Sequence, residues 1–182
     1  DSGASVAIIA DTTGGEVTLL SAATTDNDGA SIQGNEIFTV AADKDIFFET
    51  RIKCSTVAQT DICVGLTVNF ATNPEAMLTA ADRIVFQVDD GDASINCITE
   101  KSGTATTTDS GIDMVDATYI VLGFSVNSAN SVQFFINGAL VATHTANIVD
   151  DENLTVAAMS LSGNATGTRA TDLDYIIAAQ TR

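Results

Sequence analysis

The side chains that could do chemistry are few. The one histidine, His144, follows a hairpin strand. A Ser-His-Asp triad needs nucleophile, base and orienter in fixed geometry, and no Gly-x-Ser-x-Gly turn accompanies it. No Cys-x-x-Cys or His-x-x-x-His spacing offers a zinc site, and no glycine loop offers a phosphate cradle. Acidic turns come next: Asp26-Asn27-Asp28-Gly29, Asp89-Asp90-Gly91-Asp92 and Asp150-Asp151-Glu152. The first two resemble parts of calcium loops, where about six to eight oxygens surround the ion. Asp26, Asp28, Asp89, Asp90 and Asp92 are therefore the candidate ligands. The same residues are ordinary in tight turns, no complete loop is present, and no metal is assigned. Glu49 is the only Glu inside a well-alternating strand, on the polar face beside Arg51 and Lys53. Glycoside hydrolysis needs a second carboxylate, and none on a neighbouring strand presents itself. No catalytic residue and no cofactor are assigned, and the protein is expected not to be an enzyme.

These residues sit on strands. Period-two alternation, the mark of half-buried strands, runs through Asp45–Cys54, Ile62–Val68, Arg83–Asp89, Ser94–Glu100, Tyr119–Val126, Leu154–Leu161 and Leu173–Ala178. Val132–Ile136 and Ala139–Thr145 flank Asn137-Gly138, a strong hairpin signal because both residues accept positive φ. Val6–Ala10, Val17–Ser21, Ala30–Gln33 and Ile37–Val40 add shorter strands. The spacing predicts about eleven to thirteen strands in an all-β, antiparallel, jelly-roll-like sandwich of residues 1–182. Residues 1–35 supply opening strands or an N-terminal arm. At most one short helix is expected, near 74–81, where Asn73 caps and Pro74 opens it. Parity places Phe38, Phe48, Phe86, Phe124, Phe134 and Phe135 in the core. It turns Phe47 outward, as a possible subunit contact.

The chain carries 24 acidic and 7 basic residues in 182, a formal charge of −17. Nucleic acid and anionic membrane surfaces are excluded as partners on that ground. No apolar run spans a bilayer and no secretory leader is read. Cys54, Cys63 and Cys97 are an odd set. If the strands of Cys54 and Cys63 pair as a hairpin, the two thiols point to opposite faces and cannot bridge. Free thiols fit synthesis in a reducing cytoplasm.

The series Asp26–Gln33, Ile46–Lys53, Val64-Gly65-Leu66, Asp89–Asp92, Val132–Gly138 and Asp174–Arg182 resembles a family of small proteins encoded among the head genes of tailed bacteriophages. The resemblance implies a concanavalin-A-like jelly roll that decorates or cements the outer capsid surface of a virion. It implies the major capsid protein as partner, a homotrimer, and synthesis in the host cytoplasm. Many members carry a Trp near Phe47-Phe48; this chain has none, which counts against surface sugar binding. The leading expectation is a capsid decoration protein. The alternative is a carbohydrate-binding, lectin-like module of a tail or fibre, and a glycan hydrolase is third.

Overall fold

The computed structural model describes residues 3–9, 14–21, 25–70, 73–127, 131–164 and 167–182. Ala10, Thr12 and Thr13, part of the first expected strand and turn, lie outside them. In chain order the strands are β1 (Ser5–Ile9), β2 (Glu16–Leu20), β3 (Gly29–Gln33), β4 (Phe38–Thr39), β5 (Ile46–Cys54), β6 (Thr60–Thr67) and β7 (Arg83–Val88). They continue with β8 (Ser94–Lys101), β9 (Thr104–Asp113), β10 (Ile120–Asn127), β11 (Ser131–Ile136), β12 (Ala139–His144), β13 (Asn153–Ser162) and β14 (Ala170–Gln180). A front sheet runs β1-β2-β14-β5-β10-β11-β12; a back sheet runs β3-β13-β6-β7-β8-β9, with β4 also on β13. All pairings are antiparallel. This is the expected all-β sandwich. No helix among the described residues is long and apolar enough to cross a membrane.

Three features go beyond the sequence reading. Strands β5 and β6, for which a hairpin was only the condition of the Cys54–Cys63 argument, lie in different sheets, joined through a 3-10 turn at Val57–Gln59 that the sequence did not announce. The short helix expected near 74–81 is present as a single 3-10 turn, Pro74–Met77, capped where the Asn73 side chain accepts the Glu75 N–H at 3.2 Å. Strand β9 was missed because Thr-Ala-Thr-Thr-Thr offers hydroxyls where apolar residues would mark a buried face; it is the back sheet's outer edge.

The core is built on rings. Phe48 and Phe124 face each other across β5 and β10 and stack at 4.8 Å, with planes 14° apart. Phe134 tilts against Phe124 at 5.8 Å, and Phe86 of the back sheet meets Phe134 edge-on at 5.3 Å. Phe38, Phe48, Phe86, Phe124 and Phe134 are buried as expected. Phe135 is not in the core: β11 alternates strictly, so with Phe134 and Ile136 buried, Phe135 faces outward.

The two sheets differ on their outer sides. On the back sheet, Cys63, Val85, Ile98, Ala157, Met159 and Leu161 form a second apolar layer, covered by Phe70 and Met77. Arg83 pins that cover, donating to the Met77 carbonyl at 3.1 Å while pairing with Glu100 at 2.8 Å. Cys54 lies between the sheets and Cys63 in this second layer. The three thiols are free and buried. Burial pushes Cys63 and Cys97 up to about 12, which leaves them unreactive.

Asp61 opens its buried stretch of β6 and is 4% exposed. Its carboxylate accepts the Asp90 N–H at 2.8 Å. Burial, with the charges of Asp90, Asp89 and Asp26, pushes it up to about 6.

Two predictions follow from this packing. Phe124→Ala removes the ring shared by both sheets and should lower unfolding free energy by about 3–5 kcal/mol in urea titrations. For Asp61 the native state holds its proton above the unfolded value, so stability falls as pH rises from about 4 to about 6. Asp61→Asn keeps an acceptor for Asp90 and abolishes that fall. Relative to the parent, it should gain roughly 2–3 kcal/mol at pH 7.5 over its value at pH 4. A loss of equal size at both pH values would refute this account of Asp61.

Candidate functional site

Strand alternation fixes what the uncovered front face presents. With Phe48, Ile52 and Cys54 buried, β5 must turn Phe47, Glu49, Arg51 and Lys53 outward. Antiparallel register aligns them in rows. Ile177, Glu49, Gly123 and Phe135 share one row; Ala179, Phe47, Ser125 and Gln133 share the next. Tyr175, Arg51 and Val121 form a third, and Asp172 faces Lys53 beyond it.

A bulge between Leu173 and Tyr175 shapes the polar half of this face. A bulge sets one extra residue against a single partner and re-aims side chains. Here it lets β14 serve β5 twice: Asp174 accepts from the Arg51 guanidinium at 2.6 Å, and the Tyr175 hydroxyl donates to Glu49 Oε1 at 2.8 Å. Arg51 lies 3.8 Å from the Tyr119 ring centroid and the Lys53 ammonium lies 4.5 Å from it. Lys53 donates to the Tyr119 hydroxyl at 3.0 Å and pairs with Glu16 and Asp172, each at 3.3 Å.

These contacts set protonation. The hydrogen bond to Tyr119 and the two carboxylates raise the Lys53 pKa, so Lys53 is a fixed cation and not a base. A hydrogen bond from Tyr119, with Lys53 beyond it, holds Glu16 below the usual carboxylate range. Burial raises both tyrosines, and Tyr175 is raised further by its bond to Glu49. Both hydroxyls therefore stay protonated and can donate. The face thus offers carboxylates, tyrosine donors and two neutralised cations.

Beside the polar half lies a trough. An open hollow of about 200 Å³ is lined by Phe47, Glu49, Val121, Gly123, Phe135 and Gly138. Its floor depends on Gly123, where an added Cβ would meet the Phe48 carbonyl at 3.1 Å and Glu49 Cγ at 3.5 Å. A second hollow shares Phe47 and reaches Asp45, Ser125 and Ala179–Thr181. A third, of about 660 Å³, shares Ala179–Thr181 and ends at Ile37, Lys44 and Arg182. The first two hollows adjoin at Phe47 and the second meets the third at Ala179–Thr181, so a line of hollows runs from β11 across β10 and β5 to β14, about 14 Å at strand spacing, and its last member opens at the end of the sandwich beside Ala178 and Phe38. That span suits an extended ligand better than a small one.

The residues singled out from sequence meet different fates. Glu49 and Phe47 line the trough, and Phe47 is 46% exposed, with nothing among the described residues covering it. His144 is interior: Nδ1 bonds to the Thr99 hydroxyl at 3.0 Å and Nε2 to the Thr108 hydroxyl at 2.9 Å, tying β12 to the back sheet. Burial lowers its pKa. The acidic turns act as turns. The Asp92 carboxylate accepts the Ser94 N–H at 3.0 Å, the Asp28 backbone pairs with Ser162, and Asp89 accepts from the Gln87 amide at 2.6 Å. Asp26, Asp89 and Asp90 surround Asp61 as like charges. Among the described residues no group of three or more His, Cys, Asp or Glu could hold a metal ion. Sequence reading missed Tyr119, Asp172, Asp174 and Tyr175. The one local signal was Asp174-Tyr175, two polar residues in succession where β14 should alternate.

Solved structures of similar fold include alginate lyase AlyC3 in complex with dimannuronate, with TM-score 0.66 and 8% identity over 92% of this chain and 76% of that one. A Bacteroides ovatus mixed-linkage glucan GH16 enzyme with bound product gives 0.67 and 13%, over 96% and 85%. An endo-1,3-β-glucanase from Streptomyces sioyaensis gives 0.62 and 12%, over 91% and 75%. At such identities the likeness is one of fold, and it bears out the expected concanavalin-A-like jelly roll. It also corrects the expectation of a non-enzymatic protein, because these structures of like fold are glycan-cleaving enzymes. No curated protein matches the chain in sequence. One family model, SO2946-like, C-terminal domain, matches residues 12–176. The chain belongs to the SO2946-like family.

Proposed function

We propose that the protein binds an extended glycan in the front-face trough and acts on it through Glu49. The observation that carries this reading is the company Glu49 keeps. Its carboxylate accepts from Tyr175 and lines a hollow whose other walls are Phe47, Val121 and Phe135 over a glycine floor. Apolar walls with a few placed polar groups suit a ligand that has both hydroxyls and C–H faces. Phe47 and Phe135 supply the ring surface that a tryptophan would have given. The like-folded glycan enzymes support the reading at the level of architecture.

Acid–base work needs a protonatable group within reach of the bond it serves. Glu49 is the carboxylate in the hollow. Asp174, held by Arg51 one residue before Tyr175 on β14, is our candidate for the second carboxylate that glycoside hydrolysis uses. Both tyrosines keep their protons, and Tyr175 donates its own to Glu49.

A second reading, decoration of the outer capsid surface as a homotrimer against a major capsid protein, rests on a specific feature of the same face. Phe47, Leu140 and Ile177 are exposed by 46%, 53% and 50%, and an interface would bury them. Light scattering that gives the mass of one chain, with no retention on phage heads, would remove it.

The glycan reading is tested with a panel of polysaccharides, following binding by calorimetry and cleavage by new reducing ends or unsaturated products. Phe47→Ala should weaken binding about tenfold, and Gly123→Leu should fill the hollow and abolish it. Glu49→Gln should slow cleavage by about 10²–10⁴ while affinity changes by less than about threefold. Undiminished cleavage by Glu49→Gln would take Glu49 out of the chemistry. A panel without a single ligand would sink the reading.

A further inference from the structure

The basic residues are distributed unevenly. Five of the seven are engaged inside the fold. Arg51 pairs with Asp174, Lys53 with Glu16 and Asp172, Arg83 with Glu100, and Lys101 with Asp150 and Asp151. Arg169 is buried and donates to Gln59 and Asn164. The other two, Lys44 and Arg182, form no ion pair among the described residues, and both line the widest part of the trough.

That end is fixed rather than loose. The Gln180 side-chain Oε1 accepts the Thr39 N–H at 3.3 Å, tying β14 to β4. Thr181 Oγ1 accepts the Asp45 N–H at 2.8 Å, and the Thr181 N–H donates to the Asp45 carbonyl at 3.0 Å. The backbone of Lys44 closes a turn on Ala41 at 3.2 Å. Two cations thus stand over a rigid floor flanked by Ile37 and Phe38. Lys44 stands between Asp43 and Asp45 in sequence, yet among the described residues neither Lys44 nor Arg182 forms an ion pair, and both border the hollow in a chain of charge −17.

We propose that this end of the trough is an anion-recognising subsite that seats a negatively charged sugar residue of the bound glycan. The inference rests on the glycan reading of the trough and adds a charge requirement to it. The charge is a uronate carboxylate or a sulfate ester, and Lys44 and Arg182 meet it. At the Glu49 end the lining is apolar with a carboxylate, so the sugar there is neutral. The ligand is then a chain of mixed charge, or one whose acidic residue is terminal or a branch.

The experiment compares three oligosaccharides of one length, neutral, uronate-containing and sulfated, by calorimetry at about 0.15 M salt. There the Debye length is about 8 Å, which screens the overall negative charge but not two adjacent cations. The parent should bind at least one charged oligomer about tenfold more tightly than the neutral one. Uronate against sulfate then identifies the group. The double variant Lys44→Gln/Arg182→Gln should lose that preference and keep its affinity for the neutral oligomer. Both residues are exposed, so an unchanged melting temperature is expected and checks the fold. Phe47→Ala should weaken all three alike. Equal binding of neutral and charged oligomers, or a preference that survives the double variant, overturns the subsite and leaves the trough reading standing. Binding of none of the three overturns both.

Discussion

The stacking of Phe48 on Phe124 governs the rest of the molecule. These rings meet at 4.8 Å in the middle of the front sheet, across β5 and β10. A strand has two faces, and burying one ring decides where every neighbour points. With Phe48 inward, Phe47 and Glu49 go outward; with Phe124 inward, Gly123 and Ser125 go outward. A slip of one residue would put Glu49 in the core and Phe48 in water, so burial protects the register strongly. The floor of the trough and its carboxylate are consequences of the core, not additions to it.

Asymmetry between the sheets then selects the face available for work. Both sheets bury their inner sides. The back sheet buries much of its outer side as well, under Phe70 and Met77, with Arg83 and Glu100 fastening the cover. Nothing equivalent crosses the front sheet among the described residues. Its outer face carries exposed Phe47, Leu140 and Ile177 beside a network of four carboxylates, two cations and two tyrosines. Within that network both cations are paired, so Arg51 and Lys53 are scaffolding, and the hydroxyls and Glu49 are what a ligand would meet.

Much of this was legible in the sequence, and the failures have physical causes. The alternation in Ile46–Cys54 and Ile120–Val126 announces both strands and their buried faces, because half-buried strands must alternate. Asn137-Gly138 announces the β11–β12 hairpin, and Asn137 does adopt φ 49°. Strand β9 was invisible because an edge strand rich in threonine lacks the apolar signature. Whether β5 and β6 pair was not legible: these neighbours in sequence cross between sheets through Val57–Gln59. The Glu49–Tyr175 contact joins residues 126 apart, and one sequence contains no signal for which distant strands become neighbours. The expectation against sugar binding leaned on the missing tryptophan, when Phe47, read as outward-facing from parity alone, was already the aromatic surface in question.

The same constraint explains why the fold alone leaves the reaction open. A jelly roll of this kind holds both an alginate lyase and β-glucanases among its solved examples, so the architecture supplies a face and not a chemistry. The chemistry must come from the outward half of each strand, which packing does not fix. In this chain that half holds no histidine, since the only one is locked between Thr99 and Thr108. Lys53 is held protonated by its neighbours. Of the carboxylates on this face, Glu49 lines the hollow beside Phe47 and Phe135. On the glycan reading proposed above, the proton route begins at Glu49.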